Sequence, residues 1–111
     1  MEKPWEIPDD VWAEVVPLLP HVVRARRNPG RRRLDDRKAL SGVLFVLYTG
    51  LPWELLPREL GYGSGVTCWR RLREWQGADT WPLVRHVLTT RLATGRAVDW
   101  DRTNAALHRA A

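Results

Sequence analysis

Residues 35–76 read DDRKALSGVLFVLYTGLPWELLPRELGYGSGVTCWRRLREWQ, and this stretch decides the fold. Its first part begins with an Asp pair that can cap a helix. Apolar residues then recur at helical spacing, at positions 39, 40, 43, 44 and 47, with further apolar residues between them. Gly50 predicts the end of this helix, because glycine readily adopts the left-handed conformation that closes helices. We therefore expect a helix that is apolar on most sides and buried at the centre of the domain.

A second helix is predicted after a short helical turn and a connector that contains two glycines. The turn starts at Pro52, and Ser64 can cap a helix that ends at about residue 76 or 77. A helix, a short helix, a glycine turn and a further helix follow the order of a helix-turn-helix-like unit. The sequence predicts such a unit over residues 35–77.

The last helix of this unit is expected to have one apolar and one basic face. A rotation of about 100° per residue sorts its side chains into two sets. The apolar side holds Val66, Trp69, Leu72 and Gln76. The other side holds Thr67, Arg70, Arg71 and Glu74, with Arg73 at the boundary. Arginines on a helix in a major groove can contact guanine edges or flanking phosphates. A solvated face, with Glu74 offsetting the arginines, is the alternative.

Residues 21–33 form a basic arm without apolar periodicity, interrupted by a turn at 28–30. Six arginines surround that turn: Arg24, Arg26, Arg27, Arg31, Arg32 and Arg33. A guanidinium group can bind two phosphate oxygens at once. The arm is therefore predicted to follow a DNA backbone or to enter a minor groove. A flexible solubilising loop is the alternative.

The remaining sequence predicts an all-α fold of about five helices. Helical spacing indicates one helix over about residues 8–17 and another over about 81–94, with Gly95 as its end. The segment 96–111 has weak periodicity. We expect one helical domain over residues 1–95, followed by the start of a further structural unit at 96–111.

Composition narrows the function classes. A chain of 111 residues with 44% apolar residues suits one domain with a real core. Eighteen Lys and Arg against thirteen Asp and Glu give a net charge of +5, which favours a nucleic-acid partner. Cys68 is the single cysteine, so no disulfide framework is possible. No apolar run could span a bilayer and none resembles a signal peptide, so we expect a cytoplasmic protein without a membrane partner.

Metal-binding and catalytic patterns are sparse. The three histidines and Cys68 share no ligand spacing, and Cys68 is expected to be a small packed residue. Acidic pairs at 9–10 and 35–36 lie at predicted helix starts, where capping explains them. Asp99 and Asp101 lie outside any strong helical pattern and could share Mg²⁺, but two-metal phosphoryl transfer needs more ligands. No metal site and no small-molecule substrate are predicted.

The runs LDDRKALSGVLFVLYTGLPWELLP at 34–57 and CWRRLREW at 68–75 resemble the N-terminal domain of DDE-type bacterial insertion-sequence transposases. The likeness extends over about residues 10–102 and includes PLLP at 17–20 and PGR at 29–31. It implies a helical domain that recognises the terminal inverted repeats of a transposon in double-stranded DNA. It also implies, for full-length members, an RNase H-like domain whose Asp, Asp and Glu hold two Mg²⁺.

The resemblance allows two alignments near the end of the chain. Residues 101–104 can match a family D-x-T-N motif, which makes Asp101 the candidate for the first catalytic Asp. Alternatively, Asp99 and Trp100 match a D-W-S-R motif, which places Ala106 near that position. Neither alignment supplies the second Asp or the Glu, so the resemblance implies a truncated chain that holds no cofactor and is not an enzyme by itself. A module that pairs with intact transposase, or with its own copy, is the alternative function.

Overall fold

A computed structural model describes residues 3–20 and 34–101 of the chain. Within these ranges the protein consists of helices, with no strand. The five α-helices are α1 (Asp9–Val15), α2 (Asp36–Thr49), α3 (Gly65–Gln76), α4 (Trp81–Arg91) and α5 (Ala93–Ala97). Single 3-10 turns occupy Val16–Leu18, Trp53–Leu55 and Arg58–Leu60. The prediction of an all-α fold is confirmed.

Helix α2 lies at the centre of the core. Every residue from 39 to 47 is buried, which confirms the prediction of a helix that is apolar on most sides. Gly50 ends the helix with a φ of 77°, and its N–H donates to the carbonyl of Val46 at 3.0 Å. Helix α2 packs directly against α3.

The start of α3 fits closely against the 3-10 turn at Trp53–Leu55. Ser64 caps the helix as predicted, because its side chain accepts a hydrogen bond from the Thr67 N–H at 3.1 Å. A β-carbon at Gly65 would lie only 1.5 Å from the Trp53 carbonyl oxygen, so only glycine permits this approach. Cys68 is fully buried, which confirms the expectation that it is a small packed residue. Its thiol donates to the Tyr62 carbonyl, and burial raises the pKa of Cys68 to about 11.

Arginines from α2 and α4 form ion pairs with the carboxylates of α1. Arg37 of α2 pairs with Asp9 at 2.7 Å and donates to the Ile7 carbonyl. Arg91 of α4 pairs with Asp10 at 2.8 Å and also with Glu14. The capping role predicted for the acidic pairs at 9–10 and 35–36 is wrong, because α1 and α2 have no side-chain cap hydrogen bond. Three of the four carboxylates turn towards guanidinium groups of neighbouring helices instead.

The C-terminal part of the described chain differs from the prediction. Helix α4 ends at Arg91 and not at residue 94, since Leu92 is extended with φ −124° and ψ 131°. Gly95 lies inside α5, where a β-carbon would meet the Leu88 carbonyl oxygen at 2.0 Å. The prediction that Gly95 ends a helix is therefore wrong, because this glycine serves the close packing of α5 on α4.

Residues 96–101 pack against the helices. Val98 is buried, and the indole N–H of Trp100 donates to the Gly95 carbonyl at 2.8 Å. The Trp100 ring meets Trp81 edge-on at 6.2 Å, and Arg85 lies over it at 5.3 Å. The packed helical domain thus reaches Trp100. The assignment of 96–111 to a further unit stays a prediction.

None of the helices within 3–20 and 34–101 has the length and apolar character needed to cross a membrane.

Candidate nucleic-acid interface

Helix α3 turns a different face to the core from the one predicted. Its buried residues are Gly65, Cys68, Arg71, Leu72 and Trp75. Trp69, predicted on the inward side, is half-buried, and Arg71, predicted outward, is only 5% exposed. The contact side is selected by the small residues Gly65 and Cys68, which allow the backbones of the neighbouring elements to approach. The prediction that Arg71 lies on the outward face of α3 is therefore wrong, and its contact with DNA stays a prediction.

Arg71 is buried because oxygens surround its guanidinium group. Its Nη1 donates to the Asp36 carboxylate at 2.6 Å and to the Leu34 carbonyl at 2.7 Å. Its Nε lies 4.0 Å from the Glu74 carboxylate. A buried charge is tolerated when it is paired and hydrogen-bonded in this way. Arg71 thus connects α3 to the first turn of α2.

The outward face of α3 presents Arg70 and Arg73. Arg70 is exposed. The guanidinium of Arg73 lies 5.0 Å from the centre of the Trp69 ring and donates to Gln76 at 3.3 Å. A cation–π contact of this kind attracts a guanidinium to the face of an aromatic ring. The structure therefore leaves two of the three predicted α3 arginines on a surface that a duplex could reach.

Thr67 belongs to the capped first turn of α3. Its hydroxyl lies 2.9 Å from the Ser64 hydroxyl, and its side chain is half-buried. This bond uses part of the hydrogen-bonding capacity of Thr67. A contact between Thr67 and DNA stays a prediction.

The described helices do not carry the positive charge of the chain. Residues 3–20 and 34–101 contain ten Lys and Arg against twelve Asp and Glu, although the whole chain has a net charge of +5. The excess lies mostly in the basic arm. Its predicted DNA contacts lie outside the described residues: Arg24, Arg26, Arg27, Arg31, Arg32 and Arg33. Strong attraction to phosphate therefore requires the arm.

The described chain resumes beside α3, at the residue that follows the basic arm. The Leu34 carbonyl accepts a hydrogen bond from Arg71, and its side chain lies over Gly63, where a β-carbon would be 3.0 Å away. Leu34 is thus held beside α3 through its carbonyl and beside the turn that precedes α3 through its side chain.

Asp99 and Asp101 lie close together near the end of the described chain. Asp101 is exposed, and its backbone N–H donates to the Asp99 side chain at 3.0 Å. Within the described ranges, no group of three or more His, Cys, Asp or Glu could hold a metal ion. The role of Asp101 as a candidate first catalytic Asp stays a prediction.

Sequence reasoning missed the roles of Trp69 and of the Arg71–Asp36 pair. The spacing of the small residues Gly65 and Cys68, three positions apart, was the available signal for the contact face of α3. Asp36, an acidic residue at the start of α2, was the available signal that a buried arginine such as Arg71 could find a partner.

Comparisons with known proteins agree with one another. A family model described as "Putative transposase of IS4/5 family" matches residues 7–85. The chain is also similar to an uncharacterised 16.2 kDa protein of insertion element IS402 from Burkholderia cepacia. The two are 48% identical over 103 residues, which cover 92% of this chain and 69% of that protein. No solved structure matches the chain.

Proposed function

This chain belongs to the IS4/5 family of transposase-related proteins, and from that premise we propose that it binds the terminal inverted repeats of an insertion element. The observation that supports the proposal is the outward face of α3, where Arg70 is exposed and the guanidinium of Arg73 lies 5.0 Å from the centre of the Trp69 ring. In the proposal, this face and the arginine-rich arm of the sequence bind one duplex together. Double-stranded DNA is the partner that such a surface fits.

The two parts of this surface perform different tasks in the proposal. The arm supplies attraction to phosphate, which is independent of sequence and weakens with salt. Helix α3 supplies Arg70 and Arg73, which discriminate between bases if they reach guanine edges in the major groove. The described residues have a net charge of −2. In the proposal they therefore position Arg70 and Arg73 and add no net attraction to DNA.

The chain binds DNA without cutting it in this proposal. Two-metal strand cleavage needs several carboxylates around the metal pair, and Asp101 is a single candidate. Addition of Mg²⁺ to the bound complex is therefore expected to leave a supercoiled plasmid with the element ends intact. Nicking that disappears in an Asp101→Ala variant would contradict this part of the proposal.

A salt titration tests DNA binding directly. One duplex carries an end of the element that encodes the chain, and a second has the same composition in shuffled order. We expect preference for the element end and a linear loss of log K with log salt, with a slope of about −0.9 for each phosphate contact. Equal affinity for both duplexes, or a flat slope, would contradict the proposal.

Single substitutions then separate the roles on α3. Arg70→Ala and Arg73→Ala are expected to lower the preference for the element end, or to reduce the slope by about 0.9 each if the side chain contacts phosphate. Arg96→Ala is the matched control, because Arg96 is an exposed arginine on α5 that donates to carbonyls of α4. This control is expected to leave both quantities unchanged.

Pairing with intact transposase or with a second copy is the alternative function. The observation that favours it is the exposure of two large apolar side chains, Leu55 at 59% and Leu83 at 54%. Analytical ultracentrifugation of the wild-type chain and of Leu83→Ser tests self-association. A strict monomer at high concentration would count against self-association. The same experiment with added intact transposase tests pairing with that protein.

A further inference from the structure

We propose that Arg73 is the arginine of α3 that reads a base and that Trp69 is its positioning residue, whereas Arg70 contacts phosphate. This division of tasks deepens the proposed function and rests on it. The contacts behind it lie among side chains of α3, so they can be tested without DNA.

Two neighbouring side chains of α3 restrain Arg73. Its guanidinium lies 5.0 Å from the centre of the Trp69 ring, one turn earlier on the helix. Its Nη1 donates to the Gln76 side chain at 3.3 Å, one turn later. Side chains three and four positions apart are neighbours on a helix surface, so these residues form one row along α3. The guanidinium is therefore restrained from two directions.

The core supports the Trp69 ring on which Arg73 lies. Trp69 is half-buried and packs against the hydrophobic core. Among aromatic side chains, Trp attracts a guanidinium most strongly. Because the core limits the movement of the ring, the contact fixes the guanidinium relative to the fold as a whole.

Arg70 differs from Arg73 although both lie on the outward face of α3. Arg70 is exposed, and its guanidinium makes no hydrogen bond or ion pair with residues 3–20 or 34–101. A guanidinium without such restraints can adjust to a phosphate oxygen in many positions. Contacts with phosphate orient a protein on a duplex and carry no sequence information directly. Arg70 is therefore suited to a phosphate contact.

Base readout places stricter demands on geometry. A bidentate contact with O6 and N7 of guanine needs two N–H donors of one guanidinium in a fixed arrangement. Ordering a long side chain at an interface weakens binding, and a side chain that is already ordered in the unbound protein avoids much of this loss. The contact with the Trp69 ring uses no N–H donor, so it is compatible with donation to a base. Arg73 therefore fits recognition of a G·C pair.

Nitrogen-15 relaxation of the arginine Nε–H groups tests the restraint without DNA. The order parameter of Arg73 is expected to exceed that of Arg70 in the parent chain, and Trp69→Leu is expected to lower it to the value of Arg70. Trp69→Phe keeps an aromatic face and is expected to give an intermediate value. Equal order parameters for the two arginines in the parent would overturn the inference.

Binding to the element-end and shuffled duplexes tests the division of tasks. Arg73→Ala is expected to lower the ratio of the two affinities about 5- to 150-fold, which is the discrimination that one bidentate base contact provides. Arg70→Ala is the matched control on the same face. It is expected to keep the ratio and to reduce the salt slope by about 0.9. A ratio kept in Arg73→Ala, with the slope reduced instead, would overturn the inference.

A double-mutant cycle separates positioning by Trp69 from a purely structural role. Trp69→Leu is expected to lower the affinity ratio roughly 2- to 12-fold in the parent, which corresponds to ordering one long side chain on binding. In an Arg73→Ala background the same substitution should have no effect on the ratio. An equal effect in both backgrounds would make Trp69 purely structural and overturn the inference.

Two controls complete the experiment. The folded fraction of each variant is measured by circular dichroism at the binding temperature, and Trp69→Phe replaces Trp69→Leu in the cycle if that variant does not fold. A parent chain without preference for the element end would overturn the proposed function. The relaxation measurement would in that case still decide whether Trp69 restrains Arg73.

Discussion

Replacement of Gly65 by alanine is expected to disrupt the contact between α3 and the turn at Trp53–Leu55. A β-carbon at Gly65 lies 1.5 Å from the Trp53 carbonyl oxygen and 2.4 Å from its carbonyl carbon. Ordinary contacts begin at 3.4 Å, so the two backbones must separate by about 2 Å in an interior that resists overpacking. Both contacted atoms belong to the main chain and cannot rotate away.

The expected cost follows from this geometry. Overpacking typically costs about 1–3 kcal/mol, and a clash between backbones belongs at the upper end of that range. A cost of about 3 kcal/mol corresponds to a fall in Tm of roughly 12–24 °C for a domain of this size. Since α3 carries Arg70 and Arg73, the same variant should also lose its preference for the element end.

Thermal unfolding followed by circular dichroism provides the assay, and Gly77→Ala provides the control. Gly77 has a φ of −74°, and a β-carbon there meets its nearest neighbour at 3.5 Å. Because alanine adopts this conformation without strain, Gly77→Ala is expected to stabilise the fold by about 0.4–1 kcal/mol. A Gly65→Ala variant that melts within about 2 °C of the parent would refute the close approach of α3 to Trp53.

Four further outcomes are expected from burial and charge. Leu88→Ala should cost about 2–5 kcal/mol in urea unfolding, because Leu88 is fully buried. Arg91→Ala should cost about 1 kcal/mol or less, because Arg91 is 38% exposed; the reverse order would contradict the packing of α4. Because the pKa of Cys68 is raised to about 11, iodoacetamide at pH 8.5 is expected to alkylate Cys68 in the unfolded chain and not in the native chain. Rapid alkylation of Cys68 in the native chain would refute this prediction. Because of the same raised pKa, the Cys68 thiol loses its proton at a lower pH in the unfolded state than in the native state. The free energy of unfolding should therefore fall as the pH rises from 9 to 11, and it should fall less steeply in Cys68→Ala.

The features of the fold that the sequence predicted depend on local chemistry. The burial of α2 follows from its apolar periodicity, and the ends at Gly50 and Ser64 follow from cap preferences that act within one turn. The order of helix, short turns, glycine turn and helix was also correct. These signals need no knowledge of which other element lies nearby.

The errors arose where tertiary contacts determine which side of a helix is buried and where a helix ends. Sorting the residues of α3 by polarity predicted Arg71 on the outside and Trp69 on the inside. The structure instead packs the side that begins with Gly65 and Cys68 against the core, because these small residues let neighbouring elements approach. The charge of Arg71 is then satisfied by Asp36, which lies 35 positions earlier in the chain. Gly95 was interpreted as a helix end, although close contact with Leu88 is its role. The arm at 21–33 could be recognised from composition alone, and its predicted contacts stay predictions.

The most direct test of the central claim, that α3 and the arm form one DNA-binding surface, is a titration of the ¹⁵N-labelled chain with the element-end duplex. The seven Trp indole N–H signals report on separate parts of the fold. We predict that the largest changes occur at the Trp69 indole and at the amides of Arg70 and Arg73, while the signal of Trp75, which is 1% exposed, stays in place. Changes concentrated at Trp100 and along α4, with Trp69 unaffected, would contradict the account.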